Sequence, residues 1–319
     1  MSQAQQPSGT QESEKTFRGY SQAQGTKYAQ YRRNYHPKLY DSILSFHKSG
    51  SGQFDVLVDI GCGPGTATHT LAPNFKTAYG LDPSEGMIRT ARSINQSSST
   101  GGNVIFEVST AESLGSDLKD PILDGTVDLI TAATCAHWFD MQGFWQRAAK
   151  ALKPGGTVAL WTGGTIRVDT SLPNHEALQA VIDELDVTLE DYLLPGNILG
   201  RDLYRELALP WTLPSPVSTF DPESFVRKEW NTGPDAETQF YEKQPPMNLD
   251  VLEMALGTGS PVTRWREDHP GAVGTEDDVV RQLRRKIEKI LAEAGEDEGK
   301  DMVPGDVTGV LLLFRKKDA

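Results

Sequence analysis

A chain of 319 residues with 37% hydrophobic content can bury a substantial core, as one large domain or two small ones. Lysine and arginine total 31 against 44 acidic residues, a net charge of −13 that argues against a nucleic-acid partner, whose phosphates are held by cationic side chains. No apolar run approaches the ~20 residues of a membrane span, and Met1 to Lys15 is polar without a signal-like stretch, so a soluble, cytoplasmic chain is expected.

Met1 to about Gly25 is rich in Gln, Ser, Gly and Thr and reads as a disordered tail over 1–25. Lys27–Tyr40 packs four tyrosines (Tyr28, Tyr31, Tyr35, Tyr40) and two arginines (Arg32, Arg33) into fourteen residues. That mixture suits a lid that shields a pocket and holds an anion, or more simply an arm packed on the domain. Asp41–Phe46 then reads as a helix.

Phe54–Ile60 has the valine and isoleucine bias of a strand buried on both faces. It breaks into Gly61, Gly63 and Gly65, and Thr66–Ala72 looks helical. A strand feeding a helix through a glycine turn is a nucleotide-loop arrangement, because the backbone can turn tightly and a ligand can approach closely. The spacing, Asp59-x-Gly-x-Gly-x-Gly, departs from the Gly-x-Gly-x-x-Gly of a dinucleotide site. Asp59 before the glycines suits a cationic ligand better than a diphosphate; a tight turn without a ligand is the bland alternative.

Thr77–Leu81 is the second strand and ends at Asp82, 17 positions beyond Gly65, near the usual place of a carboxylate that accepts ribose hydroxyls. A helix carrying Met87 runs to about Ile94, followed by a Ser/Gly loop, Gln96–Gly102. Val104–Val108 ends at Ser109-Thr110-Ala111-Glu112. Thr126–Ala132 runs into Thr134-Cys135-Ala136-His137-Trp138-Phe139-Asp140. Phe144–Leu152 is a helix, and Thr157–Thr162, with Trp161, a fifth strand. This alternation predicts a doubly wound α/β fold with a mostly parallel sheet, and the segments around Gly61, Asp82, Ala111, Thr134 and Trp161 all fall at strand carboxyl ends, where such sheets bind ligands.

Pro173–Leu185 reads as a further helix; beyond Val187 the pattern loosens. Phe225–Trp230 is a candidate sixth strand and Leu249–Leu256 a short helix, followed by Arg264-Trp265-Arg266. Thr275 and Asp278 form a capping box for a helix to Ala294, ended by Gly295. Val307–Phe314 reads as an apolar final strand. The expected organisation beyond the tail is a single domain over 26–319: core 41–186 plus a closing strand about 303–317, a lid 27–40 and a helical cap about 187–300. Only Cys62 and Cys135 are present, which excludes a disulfide framework, and no metal-ligand spacing appears.

Asp59–Thr66 and Gly80–Met87 closely resemble the first two motifs of class I S-adenosylmethionine-dependent methyltransferases. Thr134–Asp140, together with Asp59–Thr68 and the Tyr28…Arg33-x-Tyr35-x-Pro37 arm, resembles the fungal trans-aconitate methyltransferase group, with Asn34 and His36 as local differences. The resemblance is close over 28–165 and weak over 187–300. It implies a Rossmann-like, seven-stranded sheet with Val307–Phe314 as its antiparallel edge strand, and S-adenosylmethionine as cofactor, with S-adenosylhomocysteine as product. By the same resemblance Asp59, Gly61, Gly63 and Gly65 would hold its methionine part, Asp82 its ribose and Met87 its adenine face, with Thr134 at the rim. Relatives carry Asp where Thr110 stands, so adenine recognition would lean on Ala111 and Glu112.

The expected activity is O-methylation of a small or medium organic acid or secondary metabolite. Tyr28, Arg33, Tyr35, Trp138, Trp161, Arg264 and Trp265 are candidate acceptor contacts. A carboxylate needs no base, whereas a phenol or enol would, and His137 is the best-placed candidate catalytic histidine; a packed, hydrogen-bonded histidine is the plainer reading. Three alternatives stand beside this: a cyclase using the bound sulfonium as a fixed cation, an NAD-dependent oxidoreductase, and a non-catalytic cofactor-binding subunit.

Overall fold

Along the central strands, successive side chains are apolar on both sides, which forces burial of two faces. Leu57, Leu129, Ala159, Trp161, Leu311 and Leu313 enter one core, while their neighbours Val58, Ile130, Val158, Leu160, Leu312 and Phe314 enter the other. The computed structural model describes residues 15–32, 34–50, 52–97, 103–172, 174–233, 247–293, 302–303 and 305–318.

Five parallel strands form the expected series: β1 (Val56–Ile60), β2 (Thr77–Asp82), β3 (Asn103–Val108), β4 (Val127–Ala133) and β5 (Leu152–Val168). With β6 (Val226–Trp230) and β9 (Gly305–Arg315) they make a seven-stranded sheet in the order β3-β2-β1-β4-β5-β9-β6; a two-stranded ribbon pairs β7 (Met247–Asn248) with β8 (Met302–Val303). Strand order reverses between β1 and β4, so a crevice opens above their carboxyl ends.

The closing strand β9 is antiparallel as expected, but it is not the edge. It lies between β5 and β6, antiparallel to both. Its Val310–Phe314 are at most 1% exposed, too apolar for an edge, whereas β6 carries Arg227, Lys228 and Glu229, charges that suit an edge.

Helices α2 (Pro37–Ser49) and α3 (Thr66–Leu71) cover one face of the sheet, and α5 (Met141–Ala151) covers the other. Helix α4 (Glu85–Ser97) packs Ile88 and Ala91 on Phe106. The N-terminal helix α1 (Gln22–Tyr31) lies against α4. The expected tail therefore ends earlier: Ser21 caps α1 in a reciprocal box with Gln24, Tyr20 is buried, and Gly25 packs on Thr90. Residues 1–14 of that tail, Arg33, loop residues 98–102 and the Ala294–Gly295 helix stop lie outside the described residues.

Beyond residue 168 a third core gathers α6 (His175–Thr188), α8 (Leu249–Leu256), α9 (Ser260–Asp268) and α10 (Val279–Glu293) around Leu178, Ile182, Val262, Leu283 and Ile287, with α7 (Pro195–Arg201) leading back to the sheet rim. The β5–β9 ladder continues past an irregularity at Gly163–Ile166 to the Val168–Gly305 pair, and Ile166 and Val168 join this cap core. Helix α10 starts later than the expected box: Asp278, not Thr275, accepts the Val280 N–H at 3.0 Å. Among the described residues no helix is long and apolar enough to cross a membrane.

Candidate active site

The turn after β1 runs through Gly61 and Gly63 at φ +61° and +53°, backbone that residues with a Cβ rarely adopt. A Cβ on Gly61 would stand 2.6 Å from the Cys135 sulfur, whereas one on Gly63 would meet nothing within 4 Å and would fill the crevice itself. Gly65 caps α3 and does not face that space. The Gly63 N–H donates to Asp82 Oδ2 at 2.9 Å and the Ser84 N–H to Oδ1 at 2.8 Å. Burial pushes the Asp82 carboxyl up to about 6, opposed by these two bonds and by Arg18.

A cavity of about 260 Å³ lies over the turn, with Asp82, Met87, Ala111 and Glu112 among its walls. Each Asp82 oxygen keeps lone pairs beyond its one N–H bond, so the carboxylate can accept two vicinal hydroxyls. Met87 and Ala111, 3% and 4% exposed, form an apolar slot beside it. The open backbone at Gly63, the carboxylate and the slot together fit a nucleoside-bearing ligand. Asp59 is placed differently: it is fully buried behind the turn, accepts from Thr68 at 2.6 Å and Thr131 at 2.7 Å, and is absent from the cavity wall. It braces the turn from below.

The rest of the cavity wall joins Tyr28, Thr134, His137 and Trp138 to Arg32, Asn197 and Ser260, while Arg18 lies within electrostatic reach of Asp82. Thr134 has φ +55°, an outlier for a β-branched residue; its N–H donates to Trp161 O at 2.8 Å and its hydroxyl pairs with Tyr35 Oη at 3.1 Å. Tyr35 thus stands behind Thr134. Trp161 is 0% exposed and packs edge-on between Tyr35 and Tyr40, so it belongs to the core and not to the cavity. Trp265 stacks on His269 at 4.2 Å inside the cap. Arg264 sits one layer back, donating to Tyr192 O at 2.8 Å and to Asn197 Oδ1 at 2.6 Å, and Arg266 pairs with Asp278 at 2.7 Å.

Several wall residues escaped the sequence reading. Phe17 and Arg18 lie in the supposed tail, where the Ser21-x-x-Gln24 helix-start signal was legible. Asn197 and Ser260 carry no local signal, since only the docking of α7 and α9 brings them to the rim. Gly196 shows how close that docking is: a Cβ there would stand 2.3 Å from the Trp138 ring.

His137 follows β4 in a short 3-10 turn and is 7% exposed. Its Nδ1 lies 3.0 Å from the hydroxyl of Tyr204, a fully buried residue at φ +57°. Burial pulls the imidazole down to about 3, so it is neutral at neutral pH.

Residues 58–160 match the family model described as a methyltransferase domain. A protein of Dictyostelium discoideum assigned as a methyltransferase is 35% identical over 141 residues, 44% of this chain and 48% of that protein. The trans-aconitate 2-methyltransferase of Variovorax paradoxus is 32% identical over 131 residues, 40% of this chain and 44% of that protein. The chain thus spans under half the length of these curated relatives in the matched region. A solved structure from Anaeromyxobacter dehalogenans, assigned as a type II methyltransferase, superposes with a TM-score of 0.56 at 23% identity, covering 90% of this chain and 98% of that one, and shares the fold. The glycine turn, the acidic end of β2, the strand order and these likenesses agree: the chain carries a class I S-adenosylmethionine-dependent methyltransferase domain.

Proposed function

We propose that the chain transfers a methyl group from S-adenosylmethionine to a carboxylate oxygen of a small or medium organic acid or acidic secondary metabolite. The observation that carries this reading is the two-sided cavity, with Asp82 and the apolar slot on one side and the Arg32 guanidinium, tied to Thr258 of the cap, on the other. The name of the Variovorax relative supports the acid. The cofactor, when bound, supplies a sulfonium methyl already activated for displacement. Asp82 would hold the ribose, Gly61 and Gly63 the methionine part, and Met87, Ala111 and Glu112 the adenine end.

A carboxylate is ionised at pH 7, so no proton has to be removed from it. This fits His137, whose buried imidazole is far too weak a base to deprotonate a phenol efficiently. The remaining task is alignment, worth up to ~7–11 kcal/mol, together with water exclusion. The arm serves both: Arg32 lies 5.1 Å over the Tyr28 ring and donates to Thr258 of the cap at 3.0 Å, closing the cavity between core and cap.

Incubation with S-adenosylmethionine and trans-aconitate, a panel of other organic acids, and matched neutral alcohols and phenols tests the reading. The expected product is an acid heavier by one methylene unit, with S-adenosylhomocysteine formed in equal amount. A preferred acceptor without an acidic group would overturn the substrate class. A converted acceptor with no cofactor consumed would overturn methyl transfer itself.

A further inference from the structure

We infer that Tyr204 holds His137 in the Nε2–H tautomer, so that the imidazole presents to the cavity a hydrogen-bond donor for an acceptor oxygen and not a base. Tyr204 has one proton to place. Its hydroxyl faces three groups: His137 Nδ1 at 3.0 Å, the Ala136 backbone N–H and the Thr162 side chain. The Ala136 N–H can only donate, so it takes a phenolic lone pair. The Thr162 hydroxyl directs its own proton to Gly163 O at 3.1 Å. Of the acceptors left, an imidazole nitrogen is stronger than a hydroxyl, so the phenolic proton goes to Nδ1. A neutral ring then carries its single proton on Nε2.

Nε2 is the free end of the ring. His137 lines the cavity, and its Nε2 is not among the buried polar atoms left without a partner, so this nitrogen opens onto the cavity. The clamp is rigid. Leu203 and Tyr204 are consecutive non-glycine residues at φ +57°, tied to α7 by the Tyr204 N–H to Leu199 O bond at 2.9 Å, while Arg227 holds Leu203 O at 2.6 Å. Gly200 of α7 lies beside the same ring edge: a Cβ there would be in van der Waals contact with Nδ1 at 3.4 Å. Tyr204 is thereby a positioning residue, and the donor it aims suits the non-attacking oxygen of a carboxylate, which ties the acceptor side of this inference to the methyl-transfer reading above.

The tautomer is read without turnover, from the nitrogen spectrum of the unliganded protein labelled at its six histidines. The signals lost in His137→Gln identify residue 137. The expected pattern is a protonated Nε2 and a bare Nδ1; a protonated Nδ1 with a bare Nε2 would overturn the inference. Tyr204→Phe should convert this pattern to a tautomer mixture and raise KM for trans-aconitate several-fold, with S-adenosylhomocysteine affinity unchanged. If that variant does not fold, the spectrum of the unaltered protein still decides. Glutamine can place an N–H near the Nε2 position but cannot act as a base, so His137→Gln should keep at least about tenfold more turnover than His137→Ala. Equal loss in both would overturn the donor role. If the unaltered protein methylates none of the acids in the panel, the substrate reading fails, while the tautomer is judged on the spectrum alone.

Discussion

The rim of the sheet and the cap meet at one cavity but are assembled differently. On the rim, each contact follows directly on a strand: Gly61 and Gly63 after β1, Asp82 ending β2, Ala111 after β3, Thr134 after β4. Backbone and short side chains line this part of the cavity, held by ladder bonds and by buried braces such as Asp59. On the cap side, Arg32, Asn197 and Ser260 come from segments far apart in the chain, and their positions depend on how α1, α7 and α9 dock. The rim is therefore suited to a ligand shared by many enzymes, and the cap to the one that differs. Damage to the rim should lower cofactor affinity for every acceptor, and damage to the cap should change acceptor use with the cofactor still bound.

The largest effect is expected at Asp82. Asp82→Ala removes both acceptor oxygens of the proposed ribose site and should weaken S-adenosylhomocysteine binding by ~1–3 kcal/mol, up to about a hundredfold, as read by calorimetry. Unchanged affinity would end the division of labour drawn here.

On the cap side, Gly196→Ala would put a methyl group within 2.3 Å of the Trp138 ring. Repacking of this kind costs ~1–3 kcal/mol. Thermal unfolding should show a lower Tm, and acceptor KM should rise while cofactor affinity stays close to that of the unaltered protein. A fall in cofactor affinity as large as that of Asp82→Ala would show that the two halves are not separable.

A pH series sharpens the comparison from the rim. Asp82 is raised to about 6 by burial, so the ionised form proposed to accept the ribose is lost below that pH, and cofactor affinity should drop several-fold between pH 7 and pH 5. Unliganded stability moves the other way. Asp59 and Asp82, both raised to about 6, hold protons in the folded state that the unfolded chain releases near pH 4. Their contribution is full below pH 4 and is lost as pH rises through about 6. Denaturant titrations with and without S-adenosylhomocysteine would separate the two trends; parallel curves would remove Asp82 from the cofactor site.

The smallest change is expected at Arg32, an exposed side chain that bridges Tyr28 and Thr258. Arg32→Gln should raise KM about two- to fivefold for an acid and leave a neutral acceptor unaffected. Equal changes for both acceptor types would reduce Arg32 to a strut of the arm.

Much of the rim was legible in the chain because its signals are local. A buried parallel strand is a short apolar run, a left-handed turn demands glycine, and an acidic residue at a strand end is a spacing; hence Gly61, Gly63, Asp82, Met87 and Ala111 could all be named in advance. The parallel order follows from the same alternation, whereas the antiparallel β9 was legible only through the family resemblance. What pattern could not supply is the third dimension between distant segments. Trp161 and Trp265 read as acceptor contacts, yet packing against Tyr35, Tyr40 and His269 buries them in cores. Asp59 reads as a ligand contact, but two threonines from α3 and β4 enclose it. Arg264 reads as an anion contact, but Asn197 stands between it and the cavity. Periodicity and turn chemistry act over a few residues and are written in the sequence; which polar group finally faces the cavity is settled by which partner claims its hydrogen bonds first, and only the folded chain brings those partners together.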